Sequence, residues 1–323
     1  MPRRPGVISP TQVSKREPPR VFRARDYLKS EIAARLRTGH WEMVRPGAYI
    51  AALEGHEEFD RRRLRRLAAA AAIVDKSRAD VLLSHETAAL VHGLPMVGCG
   101  RTHLVQPFPG GQRDAADVAR HFVEVPEAHR TERHGLPVTT LERTVIDCAR
   151  TLARPEGLVI ADAALHAGAD RATCEQMIEA LAGRSGVVAA RWVLAHADGG
   201  AESPGESWTR FLILEAGLPR PSTQVPVETR RGVFWGDLGW RRERVVVEFD
   251  GRAKYEAKGS ASRAVLAEKQ RQEAIEAEGW VVVRASVSDL RSPEPFLRRL
   301  RRALAGGPSP AHLPVARAPR ADK

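Results

Sequence analysis

The residues best able to do chemistry lie in the last third of the chain, in the string Val245-Val246-Val247-Glu248-Phe249-Asp250. As a strand, this string alternates its side chains between two faces. Val245, Val247 and Phe249 then fill a core, while Glu248 and Asp250 share the opposite face. Their side chains are rooted about 7 Å apart by the rise of two strand residues. Asp237, near the end of the preceding strand, reaches the same place across a hairpin. Three carboxylates gathered there repel one another unless a cation sits among them. Mg2+ or Mn2+ suits such oxygen ligands, polarises a phosphodiester and lowers the pKa of an attacking water. The expected metal set is Asp237, Glu248 and Asp250, with Glu206 as an additional ligand. Two plainer readings stand beside it. The carboxylates can be edge groups neutralised by the abundant arginines, and Glu206 can simply close the capping box Ser203-Pro204-Gly205-Glu206.

The elements that must position these groups follow from punctuation and period. The capping box opens a helix that Gly217 closes, with Trp208, Phe211, Leu212 and Leu214 as its apolar stripe. Residues 224–228, 233–238 and 244–249 alternate as strands, the last two joined by a hairpin over 239–243. A helix over 260–278 ends at Gly279, the β-branched run 280–284 predicts a strand buried on both faces, and 296–304 closes the domain as a helix. In the long helix, Glu268 and Gln272 share a face that can look into the acidic site. Gly251 permits a tight turn after the acidic strand.

Upstream, residues 1–20 read as a flexible basic arm and 307–323 as a tail. Residues 21–55 predict a helix over 31–37 capped by Ser30, then a two-stranded ribbon closed at Arg45-Pro46-Gly47, the outline of a winged-helix module. Arg35, Arg37 and Arg45 are its candidate nucleic-acid contacts, with Arg271 in the C-terminal domain as a further one. Residues 56–198 read as a mostly helical middle domain with extended stretches at 102–105 and 122–125. Its Arg61, Arg62, Arg63, Arg65 and Arg66 read as a solvated helix end. Ser84 reads as an N-cap and Asp147 as a polar helix position. No chemistry is expected of Ser84 with His85, because adjacent helical residues do not face each other. Asp198-Gly199-Gly200 marks the boundary with a C-terminal domain over 199–306.

Two resemblances bear on these pieces. The strings VFRARDYLKSEIAARLRTGHWEMVRPGAYI, LLSHETAALVHGLP and GLPVTTLERTVIDCAR resemble the AbiEi-type antitoxins of type IV toxin–antitoxin systems. That implies an operator-binding winged helix, an antitoxin body and a cognate toxin. The strings ESPGESWTRFLILEAGLPRPSTQVPV, VVVEFDGRAKY and EKQRQEAIEAEGWVVVRAS are similar to domains related to the very-short-patch-repair endonucleases, within the PD-(D/E)xK restriction-endonuclease-like superfamily. This implies an αβββαβ core and metal-dependent cleavage of DNA. The superfamily pattern places a Lys two residues after Glu248, where this chain has Asp250. The cation that stabilises the phosphate must come from elsewhere, and Lys254, Lys269 and Arg271 are the candidates.

Composition frames the choice. The chain has 323 residues, 43% of them hydrophobic, and 51 Lys and Arg against 40 Asp and Glu for a net charge of +11. That excludes a wholly disordered chain and favours a polyanionic partner, DNA first. The three cysteines form no C-x-x-C pair, so neither a disulfide scaffold nor a thiolate zinc site is expected. The longest apolar run, 67–74, is too short for a bilayer, and the basic N-terminus lacks the apolar core of a signal peptide. The expectation is a multi-domain α/β protein of the cytoplasm: an endonuclease-like protein, or a non-catalytic DNA-binding regulator that uses the nuclease fold as a scaffold. A third reading is an interaction protein whose basicity reflects only genome composition.

Overall fold

The computed structural model describes residues 17–77, 80–97, 100–109, 115–251 and 261–306, the stretch 261–267 by its backbone only. The protein is a mixed α/β chain of more than one domain, divided into two compact units at Gly199 and Gly200. Among the described residues, no helix is long and apolar enough to cross a membrane.

The N-terminal unit opens with β1 (Phe22–Arg23), α1 (Lys29–Arg37), β2 (Trp41–Arg45) and β3 (Ala48–Ala51), in a sheet ordered β1-β3-β2. Its small core is aromatic: Phe22 stacks on Trp41 at 4.5 Å, and the Arg35 guanidinium lies 4.4 Å over the same indole. Ser30 lies inside α1, which starts one residue earlier and takes Leu28 as an N-cap without a side-chain cap bond. The small sheet is joined to the rest of its unit by packing. Helix α2 (Glu58–Lys76) lies on β2, and its Arg65 donates to Glu42 and to the Met43 carbonyl.

The Arg run at the start of α2 is not uniformly solvated. Arg63 is buried and donates to the carbonyls of Leu94 and Leu90 at 2.9 and 2.7 Å. The helix phase explains this, because Arg63 shares a face with Leu67 and Ala70.

The middle segment holds more strand than its sequence suggests. After β4 (Leu82–Leu83) and α3 (His85–Val91) come β5 (Thr102–Gln106), β6 (Val118–Phe122), β7 (Arg130–Arg133) and β8 (Leu136–Thr139). These form a five-stranded sheet ordered β6-β5-β4-β8-β7, in which β5–β6 and β4–β8 run parallel. The expected stretch at 122–125 is shifted: the strand is 118–122. Leu67, Ile73, Leu83, Leu104 and Val138 form the core between α2 and this sheet. Helices α4 (Leu141–Thr151), α5 (Arg154–His166), α6 (Arg171–Ala180) and α7 (Val187–His196) complete the unit. Thr140 caps α4 by accepting from the Arg143 N–H, the role its place before an amphipathic run implies.

The C-terminal unit runs α8 (Pro204–Glu215), β9 (Ser222–Thr229), β10 (Gly232–Trp240), β11 (Val245–Asp250), α9 (Ala261–Ala277), β12 (Val281–Ser286), α10 (Val287–Arg291) and α11 (Glu294–Ala305). The sheet order is β12-β11-β10-β9, with β11–β12 parallel and the other pairs antiparallel. One face buries Val245, Val247 and Phe249 with Ile213 of α8 and Phe296 and Leu300 of α11. The other buries Val246 with Val225, Val227 and Ile275 of α9. Strand β12 is an edge, and Val281 is 46% exposed, so the β-branched run is not covered on both faces.

Candidate acidic site of the C-terminal unit

The alternation along β11 places Glu248 on the α9 face beside Val246, and burial leaves it only 7% exposed. A buried carboxylate needs a counter-charge. Arg271 of α9 provides it by donating through Nη2 to Glu248 Oε2. The same guanidinium holds Glu268 through two bonds of 3.0 and 2.9 Å. Glu268 in turn accepts from Arg284 at 2.6 Å, and Arg284 also donates to Gln272 at 3.1 Å. Arg284 is the residue of β12 in register with Glu248. Burial alone would lower the Arg271 pKa, but Glu268 and Glu248 more than offset it and hold the side chain charged. Hydrogen bonds from Arg271 hold Glu268 below the usual carboxylate range, against its partial burial. Glu248 Oε1, by contrast, is buried and accepts no hydrogen bond among the described residues.

Asp237 lies one residue past the Leu238–Val247 pair, where β10 and β11 part. There its Oδ2 accepts the backbone N–H of Phe249 at 2.8 Å. Glu206, in the first turn of α8, is also buried. Its backbone N–H donates to Ser203 Oγ at 3.2 Å, and its own carboxylate accepts from the Glu202 N–H at 2.9 Å. The capping box is therefore displaced by one residue on its return arm. Burial and the charge of Asp237 push the Glu206 carboxyl up to about 7, although those hydrogen bonds pull the other way. Gly205 lets α8 come this close, since a Cβ there would overlap the Phe249 ring.

The expected residues thus meet in part. Glu206 and Asp237 interact, and Glu248 lies on the adjacent strand. Asp250 is half-buried at the end of β11. Asp237, Glu248 and Asp250 do not close into one ligand set. Among the described residues, no three carboxylates bring an oxygen each within 4.8 Å of one another, and only His85, His103 and His121 form such a group. Arg271 draws Glu248 aside while the Phe249 N–H holds Asp237. Lys269 is exposed and lies 3.8 Å from Glu273, whereas Arg271 faces the sheet. Lys254 lies outside the described residues.

The donors present are hard oxygens, as Mg2+ or Mn2+ requires. An unpartnered buried oxygen on Glu248 and a crowded Glu206 are features a cation would relieve. Of the N-terminal candidates, Arg35 is spent on Trp41 and on Glu31 at 2.7 Å, and Arg45 pairs with Asp117. Arg37 is exposed.

Two-unit architecture and site together define a mixed α/β protein in which buried Glu206 interacts with Asp237 where two strands diverge. No protein-family model matches the chain. Over 207 residues it is 32% identical to the uncharacterized protein MT2308 of Mycobacterium tuberculosis strain CDC 1551 / Oshkosh, a match spanning 64% of this chain and 74% of that protein. The uncharacterized protein Rv2248 of Mycobacterium tuberculosis strain H37Rv matches with the same identity and spans. The chain belongs to the family of these two proteins. The crystal structure of the RV2827C protein from Mycobacterium tuberculosis aligns with a TM-score of 0.36 at 16% identity, covering 68% of this chain and 88% of that one.

Proposed function

We propose that the C-terminal unit is a divalent-cation-dependent, restriction-endonuclease-like domain that acts on DNA phosphodiesters, and that the winged-helix-like N-terminal segment binds DNA. The observation that supports this most is the electrostatic interaction of buried Glu206 with Asp237, together with the half-satisfied, buried Glu248 on the neighbouring strand, within an α-β-β-β-α-β order of elements. Proteins do not retain mutually repelling buried carboxylates cheaply, and perturbed groups of this kind concentrate at functional sites. Asp237, Glu206 and Oε1 of Glu248 do not meet as a ligand set in the structure, so they would hold Mg2+ or Mn2+ only once their side chains move together, and the ion would then polarise a phosphodiester and acidify water. Glu206 would lose its proton if a cation bound there. Arg271 fixes Oε2 of Glu248 and supplies the positive charge that a Lys in place of Asp250 would have brought. Calorimetric titration with Mg2+ and Mn2+ tests the ligand set. Saturable binding that Glu248→Ala abolishes is expected, and equally weak binding in both chains contradicts it.

A second reading is favoured by one feature. Arg271, Glu268 and Arg284 form a continuous ionic network on the face Glu248 occupies, and such a network stabilises a scaffold without any ion. In that reading the protein is a non-catalytic DNA-binding regulator of antitoxin type, with a toxin as its protein partner.

A further inference from the structure

We propose that His85, His103 and His121 form a binding site for a transition-metal cation of the zinc type, separate from the carboxylate cluster. One ring nitrogen from each of the three lies within 4.8 Å of the others. The backbone brings them together. Parallel pairing of β5 with β6 sets Val105 opposite His121, so His103 and His121 are diagonal neighbours on one face. The start of α3 is pinned to β5, with Ser84 N–H donating to the His103 carbonyl at 3.1 Å and His103 N–H to Thr87 Oγ1 at 2.9 Å. His85 then lies over His121 with ring centroids 3.8 Å apart, and Nδ1 of His103 faces Nε2 of His121 at 3.0 Å.

His85 takes a left-handed backbone, φ +51°, directly after the extended N-cap Ser84. Because Ser84 is extended and His85, the first residue of α3, has a positive φ, the two adjacent side chains do face each other, and His85 Nδ1 lies 3.0 Å from Ser84 Oγ. The expectation that they would not rested on regular helical spacing, which this helix start does not follow. A left-handed non-glycine residue carries a backbone cost that is commonly retained where a side chain must be aimed.

The chemistry suits a borderline-soft cation. Burial holds His85 at about 2 and His103 and His121 at about 4, so all three rings are neutral at physiological pH with lone pairs to offer. Imidazole nitrogens select zinc-like ions over Mg2+ or Ca2+. Glu86 supplies the orienting group: its buried Oε2 lies 3.3 Å from Nε2 of His103, and neither atom has an aligned hydrogen bond among the described residues. With a cation on the imidazoles, Glu86 gains a counter-charge and accepts the Nε2 proton of His103, the carboxylate–histidine–metal arrangement. Other charges face the trio: Arg66 and Arg101 toward His103, Arg101 toward His121, and Arg143 and Arg150 toward His85. They oppose a cation, so the ligating nitrogens must outweigh them. His103 and His121 are half-buried, which leaves room for water to complete four ligands.

The test uses the full chain stripped of metal by chelation. Titration with Zn2+, and with Co2+ followed by its visible bands, should saturate at one equivalent and be indifferent to millimolar Mg2+. His103→Ala and His121→Gln should abolish saturable uptake, and Glu86→Gln should weaken it about 10–100-fold. In the unaltered chain, ¹⁵N shifts of these three imidazoles should move on adding Zn2+, a readout that needs no variant to fold. Absence of saturable uptake, or unshifted His85, His103 and His121 nitrogens, overturns the site.

Discussion

Replacing Glu206 by Gln isolates the electrostatic cost concentrated at the acidic site. The carboxyl is pushed from an ordinary 4.5 up to about 7 by burial and by Asp237. That gap corresponds to about 3 kcal/mol against the charged form. Because the folded value is raised, the folded chain binds more protons than the unfolded chain between pH 4.5 and about 7. Stability therefore falls as pH rises through that window and levels off above it. The amide of Glu206→Gln would keep the shape and an oxygen for the Glu202 N–H, and could donate toward Asp237, while removing the titration. At pH 4 the variant and the parent should unfold at the same urea concentration. At pH 8.5 the variant should be more stable, by about 2–3 kcal/mol once relaxation trims the full value. Tryptophan fluorescence in urea reads both, since Trp208, Trp235, Trp240 and Trp280 all lie in the C-terminal unit. Saturating Mg2+ should shrink the advantage at pH 8.5, because a cation stabilises the charged carboxylate. A variant that is no more stable at pH 8.5, or a difference that is flat with pH, refutes the reasoning.

Other perturbations separate the remaining roles. Arg271→Met should destabilise the C-terminal unit by about 3 kcal/mol in urea, since it strands the buried Glu248 charge, and Lys269→Met should change stability little because its side chain is 73% exposed. Gly205→Ala should cost about 2 kcal/mol by overlapping Phe249, and Phe249→Leu in the same chain should recover part of the loss. For DNA, Arg37→Ala should lower the slope of log affinity against log salt by about one. Arg35→Ala should instead lower the melting temperature, because that side chain is packed on Trp41.

Much of the C-terminal unit was legible in the sequence because its turns are marked by Gly and Pro and its strands alternate cleanly. The placing of Glu248 and Asp237 on neighbouring strands followed from the hairpin alone. The sequence left Lys254, Lys269 and Arg271 open, although Arg271 precedes the buried Ile275 by four residues and so shares its face, the one signal that favours it over Lys269. What was not readable is that the three carboxylates fail to converge, because that depends on side-chain competition. Glu248 turns to a guanidinium whose position is set by α9, and Asp237 turns to a backbone N–H exposed only where β10 and β11 part. The imidazole trio was hidden for a different reason. It needs a parallel strand pair and a left-handed residue, neither of which leaves a periodic trace between residues 85 and 121. Of the middle sheet, the stretch at 102–105 was legible as β5, but most of the rest was missed, since β4 has only two residues and β7 and β8 four each.

The most direct measurement for the central proposal is nicking of supercoiled plasmid by the full chain with Mg2+ or Mn2+, against a chelator control. Asp237→Asn is the comparison, because an amide oxygen can still accept the Phe249 N–H while the charge is lost. Cation-dependent nicking by the parent that disappears in Asp237→Asn is the predicted result. A parent chain that leaves the plasmid intact with either ion, or nicking that survives in Asp237→Asn, contradicts it.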